Sequence, residues 1–241
     1  MNINIHQIYF DPSQLPLLDP DFQPFNHCKN PHPELREYFI FRSEYFAHKI
    51  SKDPNTVTGY VSWKFKEKTG VNGKKFINFV QKNPGYDVYF VNPFPHQLRF
   101  KNVWLQGEKY HPGILDLAQE LFLAVGMDMP LENLIMNETN TAYCNFWVGT
   151  PTFWDQYISF CEKIYQHIFT KLPQEKLDIL FQRADPIIDA SYFPFIFERL
   201  FSTLLCMNPK IKAIHYPLPK TRIGIRIKNF MQRVKNIKKF L

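Results

Sequence analysis

Short apolar runs alternate with longer stretches of helical periodicity along the 241 residues. The first run, "INIHQIYF", reads as a strand, and the polar, proline-rich segment 11–33 after it reads as a long loop of the kind that often lies over a site. Residues 34–48 read as a helix. "TVTGYVSW" (56–63) is a second strand that runs into a basic helical turn, "KFKEKTG". A helix "GKKFINFVQKN" leads to the strand "YDVYFV", which Asn92-Pro93 stops. The segment "NPFPHQLRFKNVWLQGEKYHPG" reads as a loop, followed by a helix from about 114 to 125. The aromatic run 143–148, closed by Gly149, is a further buried strand. Thr150 or Thr152 then caps a helix that Pro151 starts, because proline at the first helical position has a preset φ and no N–H to lose. Helices near 175–183 and in "FPFIFERLFSTLL" and a short strand "KAIHY" complete the pattern. Strands alternating with helices predict one α/β domain, its sheet mostly parallel and covered by helices on both faces.

Composition supports a single packed body. Hydrophobic residues make up 45% of the chain and aromatics 17%, with 24 Phe against 9 Gly, which excludes low complexity and disorder as the general state. The four cysteines (Cys28, Cys144, Cys161, Cys206) are far apart and form no CxxC pair. With a strand-like N-terminus in place of a signal peptide, they predict a reducing, cytoplasmic setting. No stretch approaches the ~20 apolar residues a bilayer-spanning helix needs.

Charge divides the chain in two. Eight of the 29 Lys and Arg lie within 220–241, where there is no acid, which leaves 21 against the chain's 22 Asp and Glu. The net +7 is therefore a property of the tail and not of residues 1–219, and it does not mark the body as a nucleic-acid binder. In the tail, Ile223, Ile227, Phe230, Val234, Ile237 and Leu241 recur at spacings of three and four, while Arg226, Arg233, Lys235 and Lys239 fall largely elsewhere. That pattern predicts a basic amphipathic helix lying on an anionic membrane surface, with a helix docked on the body as the alternative.

In open α/β sheets, ligands bind outside the carboxyl ends of the strands. That rule nominates residues 9–11, 62–64, 87–92 and 145–150, hence Tyr9, Ser62, Lys64, Asp87, Asn92, Asn145 and Trp147. Asn145 is conspicuous, because a buried amide among aromatics needs partners its neighbours do not supply. GxGxxG, Walker-type, GxSxG and HExxH motifs are absent, which removes support for the dinucleotide, NTPase, hydrolase-elbow and zincin readings.

"NTAYCNFWVGTPTFWDQYISF", "TGYVSWKFKEKTG", "YDVYFVNP" and "FPFIFERLFSTLL" resemble segments of GT-A-type nucleotide-sugar glycosyltransferases of bacterial polysaccharide biosynthesis, in a pattern spread over residues 3–216. The resemblance implies a Rossmann-like domain over 1–219. It implies transfer of a sugar from a nucleoside diphosphate sugar to a glycan or lipid-linked acceptor, at the inner face of the cell membrane. Many such enzymes hold a divalent metal with DxD at a strand end; here Asp87-Val88-Tyr89 lacks the second acid, so Mg or Mn enters only if Asp87 ligates it.

Transfer chemistry assigns expected roles. Lys64 and Lys68 are candidates for the diphosphate, with a solvated helix face as the plain alternative. Tyr9, Ser62, Asp87 and Asn92 complete the expected donor site, while Tyr60 and Trp63 are as well explained as core aromatics. Trp104, Gln106 and His111 in the 92–113 loop, with Asn145 and Trp147, form the expected acceptor site. The base that takes the acceptor proton is sought among Glu108, Asp155 and Glu198, with Glu108 preferred because its surroundings are polar. A zinc site at His27, Cys28, His32 and Glu34 fits no standard spacing. A non-catalytic binding or scaffold protein on the same fold is the alternative function.

Overall fold

The computed structural model describes residues 1–184 and 189–218. The amphipathic segment 220–241 and the boundary at 219 lie outside the described residues. The strands are β1 (Asn2–Tyr9), β2 (Gln23–Asn26), β3 (Thr56–Ser62), β4 (Val88–Phe90), β5 (Trp147–Gly149) and β6 (Ala213–His215). They form one sheet in the order β2-β1-β3-β5-β4-β6. β1 runs parallel to β2 and β3, and β4 runs parallel to β6. β5 is antiparallel to both its neighbours, β3 and β4. Five strands therefore end on one edge, where β5 begins.

Helices cover both faces. α2 (Phe65–Thr69) and α3 (Gly73–Lys82) lie on one, where Phe65, Phe76 and Val80 pack against Val57, Val61, Tyr89, Phe146 and Val148. The other face carries α1 (Arg36–Phe46), α4 (Val103–Tyr110), α5 (Ile114–Ala124), α6 (Pro151–Thr170), α7 (Gln174–Phe181) and α8 (Tyr192–Met207). The period of two explains the division, since Val88 and Phe90 join the larger core and Tyr89 and Val91 the smaller. Trp147 is the hub of the larger core, its ring against Phe41, Phe153, Trp154, Tyr157 and Phe201.

Local sequence sets the boundaries. Thr150 Oγ1 accepts the N–H of Phe153 at 3.3 Å and Pro151 opens α6, as the sequence predicts. Asn102 Oδ1 accepts the N–H groups of Trp104 and Leu105, both at 2.9 Å, and so starts α4 inside the segment expected to be a loop. The expected loop 11–33 contains β2, an edge strand whose paired residues include Pro24. The strand expected over 143–148 shortens to Trp147–Gly149, because Cys144 adopts φ 70° and breaks the extended chain ahead of it. Close approach dictates Gly59 in β3, where a Cβ would strike the Trp147 carbonyl of β5. Among the described residues, no helix is long and apolar enough to cross a membrane.

Candidate functional site

The carboxyl edge collects polar side chains where the two faces meet. The ladder pairs Phe90 with Trp147, and the N–H of Val91 reaches the Phe146 carbonyl at 2.9 Å. Asn92 is the next residue beyond that bond on one side and Asn145 on the other, Asn145 lying before the start of β5. Asn92 Oδ1 accepts the N–H of Phe94 at 2.9 Å, while its Nδ2 is buried with no partner among the described residues. Asn145 Oδ1 is likewise buried and unpaired, as is Oε1 of Gln97 in the turn that follows. A small concavity lined by Asn92, Pro95, Glu138, His215 and Tyr216 opens at the ends of β4 and β6, and of the three amides Asn92 alone lines it.

Ionisable groups converge on the same end from both faces. Lys68 on α2 donates from Nζ to Cys144 Sγ at 3.1 Å and lies 5.9 Å from the Phe146 ring centroid. The Cys144 sulfur, then Glu198 and Glu37, hold the Lys68 ammonium above its usual pKa against the opposing desolvation. Desolvation pushes the Cys144 thiol up to about 12, so at neutral pH it is a neutral thiol accepting from a cation. Glu37, in the first turn of α1, has its pKa raised by desolvation first, with Glu198 adding to the rise and Lys68 and Arg36 opposing it. Arg199 is buried, and desolvation lowers its pKa. It donates to the carbonyls of Val103 (2.9 Å) and Phe195 (2.8 Å) and to Gln106 Oε1 (2.7 Å). The adjacent pair Glu198 and Arg199 therefore differs: the arginine binds α4 to α8, while the charge of Glu198 is felt at Lys68, Cys144 and Glu37.

The residues singled out from sequence are spread between the two edges and the core. Tyr9, Ser62, Lys64, Lys68 and Asn92 share the carboxyl edge. There Lys64 Nζ stands 4.8 Å over the Trp63 ring, and Tyr9 is mostly buried. Asp87 does not share it. It precedes β4 at the opposite edge, where Oδ2 accepts the N–H of Lys212 at 2.7 Å and its carbonyl accepts that of Thr150 at 2.8 Å. The acid expected at a strand's carboxyl end thus stands at its amino end, and it does not fit a metal site that serves the cluster. Among the described residues, no group of three or more His, Cys, Asp or Glu is arranged to hold a metal ion, and the His27–Glu34 region is included in that.

The expected acceptor residues are redistributed as well. Trp104 is fully buried, with Nε1 donating to Thr203 Oγ1 at 3.0 Å, and Trp147 is 1% exposed, so neither ring presents a face to a ligand. His111 is buried, stacked on Phe195 at 3.8 Å, and Gln106 receives Arg199. Glu108 accepts the N–H groups of Gly113 (2.9 Å) and Leu115 (3.1 Å), capping the start of α5. Asp155 is held by Tyr45 and Lys52 at 2.8 and 2.9 Å. Sequence reasoning missed Glu37 and Cys144. The signal for Glu37 was its place in a helix whose neighbours Tyr38, Ile40 and Phe41 are buried; for Cys144 it was proximity to the odd amide Asn145.

No family model and no curated protein matches the chain. Among solved structures, the fold is similar to that of the bifunctional glycosyltransferase WbbM in its apo form, at 10% identity and a TM-score of 0.50. The match covers 90% of this chain and 45% of that one, so the chain spans under half the length of its structural neighbour. The likeness is one of fold.

Proposed function

We propose that this chain transfers a sugar from a nucleoside diphosphate sugar to a hydroxyl of a glycan or lipid-linked acceptor, at the carboxyl edge of the sheet. The observation that carries the proposal is the Lys68 ammonium held on Cys144 Sγ at strand ends that also hold unpaired buried amides, with the charges of Glu198 and Glu37 felt there, in a fold similar to that of a glycosyltransferase. In the transfer, the bond from the anomeric carbon to the diphosphate breaks with its electron pair leaving on phosphate, and a bond to the acceptor oxygen forms. Lys68 is positioned to balance the growing phosphate charge in a partly desolvated site, where a fixed cation acts more strongly than in water. A carboxylate takes the acceptor proton, and we assign that role to Glu198, since Glu108 already holds two backbone N–H groups. No step is routed through a metal.

Membrane placement is a second part of the proposal and rests on the sequence of 220–241. Its eight basic residues and apolar stripe suit an anionic surface, each basic residue contributing roughly 1 kcal/mol there. A chain held at the surface meets lipid-linked acceptors directly.

A thermal-shift panel of nucleoside diphosphate sugars tests the proposal, because a ligand that binds the native state raises its stability. At least one donor should stabilise the chain and be consumed with an acceptor mixture, and Lys68→Met should weaken nucleoside diphosphate binding more than nucleoside binding. Stabilisation without turnover under any acceptor would favour the scaffold alternative. Indifference to the whole panel would overturn the proposal.

A further inference from the structure

Asn92 and Asn145 each adjoin the last β4–β5 backbone bond, from the Val91 N–H to the Phe146 carbonyl, and each carries an unused, buried polar atom of the opposite kind. Asn92 is 7% exposed; its Oδ1 is committed to the Phe94 N–H, which fixes the amide's orientation and leaves Nδ2 as a donor. Asn145 offers Oδ1 as an acceptor. Gln97 Oε1, in the turn entered through Phe94, adds a second buried acceptor. Buried polar groups left without partners are rare, and of the six such side-chain atoms among the described residues three belong to these amides, which a ligand with hydrogen-bonding groups of its own would satisfy.

We infer that Asn92 and Asn145, with Gln97 beside them, form the subsite that reads the hydroxyl pattern of the transferred sugar. A sugar hydroxyl both donates and accepts, so neighbouring hydroxyls on a ring take the Nδ2 donor of Asn92 and give to the Oδ1 acceptor of Asn145. Phosphate, which at neutral pH offers chiefly acceptors, suits the Asn92 donor but leaves both orphaned oxygens unpaired. The division of the edge follows: Lys68, across the sheet on the α2 side, faces the diphosphate, and the amide pair faces the sugar. A site that bonds specific hydroxyls rejects analogues lacking them, because its own buried groups are then left unpaired. The inference rests on the transfer proposal and assigns the part of the donor that the asparagines recognise.

The test uses the full chain and calorimetry with uridine, guanosine, cytidine and thymidine diphosphates, each alone and as hexose and N-acetylhexosamine conjugates. Wild type should bind one conjugate more tightly than its parent diphosphate. Asn92→Ala and Asn145→Ala should each shrink that increment about tenfold, ~1.4 kcal/mol, while leaving the affinity for the diphosphate unchanged. The conjugate class preferred by wild type decides between a diol and an acetamido group, which also carries one donor and one acceptor. An increment untouched in both variants overturns the inference while leaving the transfer proposal standing. Equal losses for the conjugate and the bare diphosphate overturn it too, since the pair would then serve the nucleotide. A wild-type chain that binds no diphosphate and no conjugate overturns both. Circular dichroism of each variant identifies a loss that comes from misfolding, and Asn92→Ser and Asn145→Ser, which keep a small polar group, then supply the comparison.

Discussion

Replacing Glu108 and Glu198 in turn by glutamine and alanine separates a structural carboxylate from a catalytic one. Glu108 accepts two backbone N–H groups, from Gly113 at 2.9 Å and Leu115 at 3.1 Å, at the positive end of α5. A carboxylate that caps a helix start in this way contributes about 1–2 kcal/mol, combining the cap bonds with the helix dipole. For a chain of this length each kcal/mol moves the melting temperature by about 2–4 °C, so Glu108→Ala should lower it by roughly 2–8 °C. Glu108→Gln keeps one acceptor oxygen and should lose less. Turnover per folded molecule should stay near wild type in both. The charge of Glu198 is felt at Lys68 and Glu37, and Glu198→Gln should leave the melting temperature almost unchanged while depressing transfer by roughly 10²–10⁴-fold. The paired assays are differential scanning fluorimetry and initial rates with a donor that the thermal-shift panel has identified. A Glu108→Gln chain that melts like wild type but does not turn over, with Glu198→Gln active, would refute the reasoning.

Three further outcomes follow from the packing and charge. Gly107→Ala should destabilise by about 1–3 kcal/mol in urea unfolding, because its Cβ would lie 2.6 Å from Arg199 Nε and the arginine is pinned by three bonds; helix propensity alone would have it stabilise, so a gain contradicts the packing. Glu37 has a raised folded pKa, so the native state holds its proton more tightly than the unfolded chain and loses stability as pH rises from the ordinary glutamate value through the folded one. Glu37→Gln should therefore raise the neutral-pH melting temperature, with a gain that shrinks as pH falls toward that ordinary value; a gain that is constant with pH would deny the linkage. The full chain should co-sediment with anionic liposomes at low salt and a chain ending at residue 219 should not, whereas equal binding by both removes the membrane assignment of 220–241.

How far the fold could be read from the sequence depended on whether one stretch of chain held the determining signal. Thr150-Pro151 and the stripe of α5 are local, and both elements form where expected. The direction of β5 is not local. An alternation of inward and outward side chains looks the same along a strand in either sense, and only its pairing with β3 and β4 reverses it. That reversal moves Asn145 to the carboxyl edge by way of the strand's start and leaves Gly149 and Thr150 on the other. Asp87 was misplaced for a related reason, since the run "YDVYFV" does not reveal that its strand begins at Val88. Asn102 concealed α4, an N-cap that in a Pro-rich segment reads equally well as a loop residue. Lys68, Asn92 and Asn145, nominated from the sequence, do lie at the carboxyl edge, and their roles there are part of the proposal. Glu37 was not nominated, because its charge is felt at Lys68 only when α1 packs beside α8.

Backbone hydrogen exchange of the full chain, with and without its best-binding nucleoside diphosphate sugar, tests the central claim most directly. The account predicts added protection at residues 62–69, 92–97 and 143–146, the segments that carry Lys68, Asn92, Gln97 and Asn145, and none around Asp87, Thr150 and Lys212 at the opposite edge. Protection confined to that opposite edge, or absent everywhere under saturating donor, would contradict it.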